Sequence, residues 1–349
     1  MEQYHRAIFF TKVPLKGYYR YKDIFQIFPF DMDKMPTSIY QKHYPNVIEF
    51  KSTGEEEFTI PEQLKGLENL HQQAAILNTY QDKYFSLLTT FSNNLFFRYN
   101  DISGFWGVPI LIDNPTAEEA NCWSSKWCMS MYYFPDYAKQ FQDKKFTELK
   151  LNEIQKIPHK DYFLNDPNLD FDTSKELVLP STIDLLFDRF FSLEEQISET
   201  IETATYYNYS AIELKDSRKT LSLLASFTAL ETMVNLEYKD VNVEVCNGCG
   251  QNDCKGCGQP KYKVSKKFRE FLLKYIGNSP VNKRKFNDYY SFRSKIVHTG
   301  QQLKSEPLFS DVSEVDIDNE RITRIEILQL GKLAVTNWLL SKNNFEYEI

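Results

Sequence analysis

The spacing of the apolar residues changes near Pro180, and this change constrains the fold more than any other feature of the 349-residue sequence. After Pro180 the apolar residues recur every three to four positions, which is typical of helices that pack by one face. The pattern predicts an all-α region of five helices, with expected bounds at 181–209, 214–238, 264–277, 281–299 and 321–342.

The part of the chain before this change contains short apolar stretches bounded by turn-forming residues instead. Such stretches predict β-strands, and they lie at 7–10, 47–50 and 108–112. One amphipathic helix is expected between them, from Pro61 to about residue 88. The polar segment 159–175 predicts a linker. We therefore expect an α+β protein with a mixed domain of undefined topology at 1–175, which senses or positions a target, and an all-α domain at 176–349.

Composition and local motifs exclude several other classes of protein. Hydrophobic residues make up 42% of the chain and charged residues 26%, as in ordinary globular proteins. The sequence has no uncharged run of about 18 residues, and its first residues lack the apolar stretch of a signal peptide. It also has no phosphate-binding glycine loop, dinucleotide fingerprint or nucleophile elbow. We expect a cytoplasmic protein that does not enter a membrane.

A basic segment stands out against the overall net charge of −7. Between Lys261 and Gly300 there are eleven Lys and Arg residues but only two acids, which gives a local net charge of +9. Such a segment favours contact with the phosphates of RNA, although a charge run can also form a simple solvated surface. The candidate RNA-binding residues are Lys266, Lys267, Arg269, Lys283, Arg284, Lys285 and Lys295.

The predicted helix 281–299 ends with a charged arginine and a histidine in a five-residue spacing. Arg293 and His298 are separated by about 140° around a helix, so they share an edge. Ile296 and Val297 are expected to face the core, and Gly300 marks the expected helix end. RNA carries its own nucleophile in the 2′-hydroxyl. A histidine that moves a proton and an arginine that holds the phosphate are therefore sufficient for cleavage without a metal. The simpler alternative for His298 is a helix-end residue that solvates the last carbonyl groups.

A resemblance to a known family bears on this choice. The string from Tyr290 to His298 resembles the Arg-x4–6-His signature of the HEPN superfamily, and most closely its Apea-like branch. The stretch Phe227-Thr228-Ala229-Leu230-Glu231 is similar to the Phe-x-x-Leu-Glu stretch of such domains. The resemblance covers about residues 180–345. Many family members have Asn, Asp or His after the arginine, where this chain has Ser294.

The resemblance implies an endoribonuclease that acts as a homodimer with a composite active site. Members of the family are toxins or antiphage abortive-infection effectors that cut tRNA or other cellular RNA, and some are inactive binding modules. Carried over to this chain, the catalytic residues are Arg293 and His298, and Ser294 can orient the histidine ring because it lies four residues earlier on the same helix face. An antitoxin or a phage-derived trigger is the implied regulator.

Four of the six cysteines form a C-x2-C-x4-C-x2-C run within a predicted loop at 240–262. Paired cysteines followed by glycine resemble zinc knuckles, so we expect a structural zinc with four thiolates and no catalytic metal. A redox-sensing disulfide pair, an iron–sulfur site and free thiols remain alternatives, because the four-residue spacer is shorter than usual. The expected ligands are Cys246, Cys249, Cys254 and Cys257.

Two glutamates lie on the helix expected at 214–238. Glu231 is expected at the edge of the core, where it could form a salt bridge with the basic helices. Glu237 is expected on the surface. Neither glutamate is expected to be catalytic.

Overall fold

The computed structural model describes residues 2–30, 43–54, 58–60, 65–66, 68–98, 119, 145–165, 175–239, 264–306 and 312–342. The fold is mixed α+β, with an antiparallel sheet followed by a helical region. Contacts divide the chain into two compact units. The N-terminal unit comprises 1–88, 92–162 and 168–181, and the helical unit comprises 89–91, 163–167 and 182–349.

The N-terminal unit contains a four-stranded antiparallel sheet with the order β1-β4-β3-β2. The predicted strands at 7–10 and 47–50 are confirmed and pair with each other, with Ala7 opposite Ile48. The strand predicted at 108–112 lies outside the described residues. The strands are β1 (Gln3–Thr11), β2 (Tyr19–Tyr21), β3 (Phe25–Pro29) and β4 (Tyr44–Ser52).

Aromatic rings join this sheet to helix α1 (Glu68–Phe91), which confirms the predicted N-terminal helix. Alternate residues of a strand point to the same face of a sheet, and one face here presents aromatic rings to the helix. The ring centroids are 4.7–5.3 Å apart in the pairs Phe9–Phe85, Phe25–Tyr84 and Phe50–Tyr80. These aromatic residues therefore build the core of the unit.

The opposite face of the sheet holds a buried polar cluster around Glu49, which is 0% exposed. The Nε and Nη2 atoms of Arg6 donate to its Oε1 at 2.8 and 2.6 Å. Its Oε2 accepts from Gln26 at 2.7 Å and from the Thr147 backbone N–H at 2.8 Å, and the Thr147 hydroxyl donates to Oε1 at 2.6 Å. Both oxygens of this carboxylate are therefore satisfied.

The segment predicted as a linker includes ordered structure. Residues Asp161–Asn165 form a π-helical turn, in which Tyr162 and Phe163 are buried. Residues 166–174 lie outside the described residues. Two short parallel strands, β5 (Lys156–Ile157) and β6 (Leu179–Pro180), pair on either side of this segment.

The helical unit contains six α-helices between residues 183 and 341 of its described part, whereas the sequence analysis predicted five. The predicted helix 181–209 is two helices because Glu194 takes an extended backbone conformation, and the Ser192 hydroxyl donates to the Arg189 carbonyl at the first helix end. The helices are α2 (Ile183–Phe191), α3 (Glu195–Glu213), α4 (Lys219–Glu237), α5 (Val264–Tyr275), α6 (Pro280–Thr299) and α7 (Glu314–Ser341).

Helix α4 supplies much of the core of this unit and packs against α3 and α7. Its side chains Phe227, Leu230, Met233 and Val234 are at most 1% exposed. Because α4 is anchored in this way, the residues on its remaining edge, including Glu231, are held in fixed positions beside α6.

A glycine in α7 allows α3 to approach closely. A Cβ atom added to Gly331 would collide with Oδ1 of Asn208. The Asn208 side-chain amide donates to the Gly331 carbonyl at 3.2 Å, and Asn208 is 1% exposed. The contact therefore depends on the absence of a side chain at residue 331.

Candidate functional site

The candidate site is built on the helical hairpin of α5 and α6. The Ser279 hydroxyl accepts from the Asn282 N–H at 3.0 Å and caps α6, whose first residue is Pro280. Gly300 ends the helix in the left-handed region (φ 66°), where glycine is not strained, as predicted from the sequence. His298 therefore lies in the last turn of α6.

Two contacts fix how the arms of the hairpin face each other. The rings of Phe268 and Tyr290 are 5.5 Å apart, and Nη1 of Arg269 donates to Oδ1 of Asn287 at 2.9 Å. These contacts place the start of α5 beside the second half of α6. The result is a groove that neither helix forms alone.

The groove has a volume of about 440 Å³. On α6, residues 291, 294, 295 and 298 follow the three- and four-residue steps of one helix face. The sequence-predicted residues Ser294, Lys295 and His298 therefore meet in one place. The full lining is Ser265, Tyr290, Ser291, Ser294, Lys295, His298 and Thr299.

The lining of the groove is rich in hydrogen-bond donors. It contains five hydroxyl groups, an ammonium group and an imidazole, and no carboxylate among the described residues. Two hydroxyls donate to the helix backbone, from Ser291 to Asn287 and from Thr299 to Lys295. The side chains of Ser265, Ser294 and Lys295 have no hydrogen bond or ion pair within the described residues. Such a groove suits an anion.

Arg293 lies outside this lining and points to another element. Its Nη2 forms an ion pair with Oε2 of Glu231 on α4 at 2.8 Å, with side-chain exposures of 20% and 21%. The predicted salt bridge of Glu231 is thus confirmed. Oε1 of Glu231 is buried and has no hydrogen-bond partner among the described residues. Arg293 and His298 therefore share a helix but not a groove.

Tyr290 lies between the ion pair and the groove and was missed by the sequence analysis as a site residue. Burial and the nearby Glu231 carboxylate raise the pKa of Tyr290, and Arg293 opposes this effect. Its hydroxyl makes no hydrogen bond within the part of the chain that the structure describes. The signal that could have found it is the four-residue spacing from Tyr290 to Ser294 to His298 on α6.

The predicted RNA-binding residues differ in their surroundings. Arg269 is tied to Asn287, Lys266 lies 3.7 Å from Glu270, and Lys285 forms a 2.6 Å ion pair with Glu326. Lys283 and Arg284 are exposed near the start of α6 and form no ion pair within the described residues. Lys267 is half-buried. Lys295 is the member of this set that lines the groove.

Two predictions about individual side chains are wrong. Glu237 was expected on the surface, but its side chain is 12% exposed and accepts hydrogen bonds from Lys274 and from Nε1 of Trp338. Burial raises the pKa of Glu237, yet these hydrogen bonds outweigh it and lower the pKa overall. Val297 was expected to face the core together with Ile296. It is 45% exposed, whereas Ile296 is buried.

The predicted zinc ligands Cys246, Cys249, Cys254 and Cys257 lie outside the described residues, so the metal site remains a prediction. In the described part of the chain, no three or more His, Cys, Asp or Glu side chains cluster as a metal site would require. None of the helices described is both long and apolar enough to cross a membrane.

Comparison of the chain with models of known protein families, with curated proteins and with solved structures finds no match. The resemblance to the HEPN superfamily therefore depends on the residues quoted above.

Proposed function

We propose that the chain is a metal-independent endoribonuclease of the HEPN type, which cleaves tRNA or other single-stranded RNA loops as a toxin or antiphage effector in the cytoplasm. The observation that carries the proposal is the groove in which His298, Ser294 and Lys295 meet. Its lining offers donors and a cation to a phosphate, together with a histidine, the side chain that exchanges protons near neutral pH.

The reaction uses the 2′-hydroxyl of the RNA as the nucleophile. The 2′-oxygen forms a bond to phosphorus while the bond from phosphorus to the 5′-oxygen breaks, which leaves a 2′,3′-cyclic phosphate and a 5′-hydroxyl. One proton leaves the 2′-hydroxyl and one reaches the 5′-oxygen, and His298 performs one of these transfers. A homodimer, which the resemblance implies, would bring two such histidines into one composite cleft, one as base and one as acid.

The other groove residues hold the phosphate. Lys295 supplies a positive charge, and the Ser294 hydroxyl lies four residues from His298, where it can orient the imidazole or donate to an oxygen of the phosphate. Single-stranded loops fit this role best because the 2′-hydroxyl must move in line with the bond that breaks.

In the proposed reaction, Arg293 would exchange its salt-bridge partner Glu231 for a phosphate of the RNA. A guanidinium group has five N–H donors. Within the described residues, Nη2 is the only nitrogen of Arg293 that donates to Glu231. A phosphate would compete with Glu231 for this group on binding. Lys283 and Arg284 would extend the contact along the RNA backbone.

The cysteine loop and the N-terminal unit would stabilise and direct the enzyme. A structural zinc on the four cysteines would hold the loop before α5 and take no part in the reaction. The N-terminal unit would position or recognise the target, and an antitoxin or a phage-derived trigger would control the activity.

The direct test is cleavage of total tRNA in EDTA. We expect discrete cuts by the wild type that end in cyclic phosphate, and a loss of about 10²–10⁴-fold in rate for His298→Ala. Arg293→Ala should also lose activity. His159→Ala and Arg321→Ala, which change residues outside the groove, should cut like the wild type. Equal cutting by His298→Ala and the wild type would overturn the proposal.

A second candidate is a catalytically inactive module that binds RNA or a protein partner. The observation that favours it is the position of Arg293, which is tied to Glu231 and does not line the groove. Such a module would bind RNA equally well with and without His298 and would cut nothing.

A further inference from the structure

Two neighbouring tyrosines of α6 have contrasting surroundings. Tyr289 is 6% exposed and its hydroxyl donates to Oε2 of Glu326 on α7. Tyr290 lines the groove, and its hydroxyl makes no hydrogen bond within the described residues. The first hydroxyl is therefore used by the fold, whereas the second is available to a ligand.

The chemistry around Tyr290 determines what that ligand can be. The groove residues that share the space with it are hydroxyl groups, Lys295 and His298, and no carboxylate is among the described lining residues. An anion with several oxygens can accept from such a set, whereas the described lining offers a cation no carboxylate to bind. Phe268 lies against the Tyr290 ring and holds it in place at the groove wall.

The protonation of the hydroxyl fits a donor role. Burial and the Glu231 carboxylate both raise the pKa of Tyr290, so the phenol keeps its proton over the neutral and mildly alkaline range. A phenol that keeps its proton can donate to a phosphate oxygen without adding charge.

We infer that the Tyr290 hydroxyl is a further phosphate-binding group of the groove and donates to a phosphodiester oxygen of single-stranded RNA. This inference rests on the proposed function for the identity of the ligand. The distance between Tyr290 and His298 along α6 supports contact with one extended RNA strand. Tyr290 and His298 are eight residues apart, or about 12 Å of helix, so a ligand that contacts both must extend along α6.

The test measures binding separately from cleavage. The probe is a short fluorescent single-stranded RNA with every 2′-hydroxyl methylated, which cannot be cut, and binding is followed by fluorescence anisotropy. We expect Tyr290→Phe to weaken binding about tenfold, the usual effect of losing a hydrogen bond to a charged group. Tyr289→Phe is the matched control and should bind like the wild type.

The salt dependence of RNA binding distinguishes the loss of a neutral hydrogen-bond donor from the loss of a positive charge. Tyr290→Phe should keep the wild-type slope of log Kd against log salt, because no cation is removed. Lys295→Ala should reduce that slope by about 0.7, as expected for one phosphate contact on a single strand. Tyr290→Phe should also keep the wild-type melting temperature, since no described residue depends on its hydroxyl.

Wild-type affinity in Tyr290→Phe, or a reduced salt slope in that variant, would overturn the inference. Failure of the wild type to bind the probe would overturn it as well. The nuclease proposal fails separately: Tyr290-dependent binding with no cutting of tRNA would refute the nuclease and keep the donor. Normal cutting of tRNA by the wild type, together with unchanged RNA binding by Tyr290→Phe, would keep the nuclease proposal and refute the role of the Tyr290 hydroxyl as a donor.

Discussion

Each unit of the chain contains an arginine–glutamate pair, and the two pairs differ in how completely their hydrogen bonds are made. In the N-terminal unit, Glu49 is fully buried, and Arg6, Gln26 and Thr147 together satisfy both of its oxygens. In the helical unit, the Arg293–Glu231 pair has one contact, and Oε1 of Glu231 has no partner within the described residues.

The difference separates a pair that supports the fold from a pair that can exchange partners. Breaking a buried and fully bonded pair leaves an uncompensated charge, which costs several kcal/mol. A pair with a single hydrogen bond contributes less, because its loss removes one contact and not a saturated network. Glu237 lies between these extremes, because it accepts hydrogen bonds from two side chains and its own side chain is 12% exposed.

The largest effect on stability is expected at the Arg6–Glu49 pair, in which both carboxylate oxygens are hydrogen-bonded. Glu49→Gln should lower the free energy of unfolding of the N-terminal unit by about 3 kcal/mol or more, because it leaves Arg6 without its counter-charge. Hydrogen exchange of the β1 and β4 amides measures this locally. Glu176→Gln, at the exposed pair with Lys16, is the control and should change little. Equal effects of the two substitutions would show that the complete hydrogen bonding of Glu49 does not add to the stability of the unit.

An intermediate and pH-dependent effect is expected at Glu237. Its pKa is lowered in the folded protein. Its stabilising contribution is therefore present above the unfolded pKa of about 4.3 and is lost as the pH falls through the lower folded value. Glu237→Gln should cost about 1–2 kcal/mol at pH 7. Denaturant titrations at pH 7 and in acid measure the effect. A difference from the wild type that persists in acid would contradict this explanation.

The smallest effect on stability is expected at the Arg293–Glu231 pair, which has a single hydrogen bond. Glu231→Gln should change the free energy of unfolding by about 1 kcal/mol, because it weakens a single hydrogen bond and the amide oxygen of glutamine can still accept from Arg293. The same change should raise the affinity for uncleavable RNA several-fold, since a phosphate no longer competes with a carboxylate for Arg293. Anisotropy titrations against the wild type measure this, with Glu270→Gln as the control. Weaker RNA binding by Glu231→Gln would show that Glu231 instead holds Arg293 in its working position.

The sequence predicted the parts of the fold that depend on local spacing. The three-to-four-residue period located the helices, and Gly300 marked the end of α6. The break at 192–194 was missed because the apolar period continues across it, and nothing local shows that Glu194 leaves the helix. The prediction of one continuous helix over 181–209 was therefore wrong.

Contacts between distant residues were the hardest to predict. Glu49 accepts a hydrogen bond from Thr147, 98 residues away in the sequence, and no pattern links these two residues. The motif on α6 identified His298 and Ser294, but the groove also needs the start of α5 opposite them. The four-residue spacing relates Tyr290 to Ser294 and His298 on α6, but only the contact with Phe268 shows that these residues face α5 across a groove. The partnership of Glu231 with the basic helices was predicted because one acid stood near many cations.

The close contact between α3 and α7 has a consequence for how the sequence can change over time. Any side chain at residue 331 would collide with Asn208, and a smaller residue at 208 would remove the hydrogen bond to the Gly331 carbonyl. A side chain at residue 331 is therefore tolerated only after residue 208 has become smaller, which costs that hydrogen bond. Although 123 residues separate them in the chain, we expect the two positions to vary together in descendants of this sequence, so that the pair marks the lineage better than either residue alone.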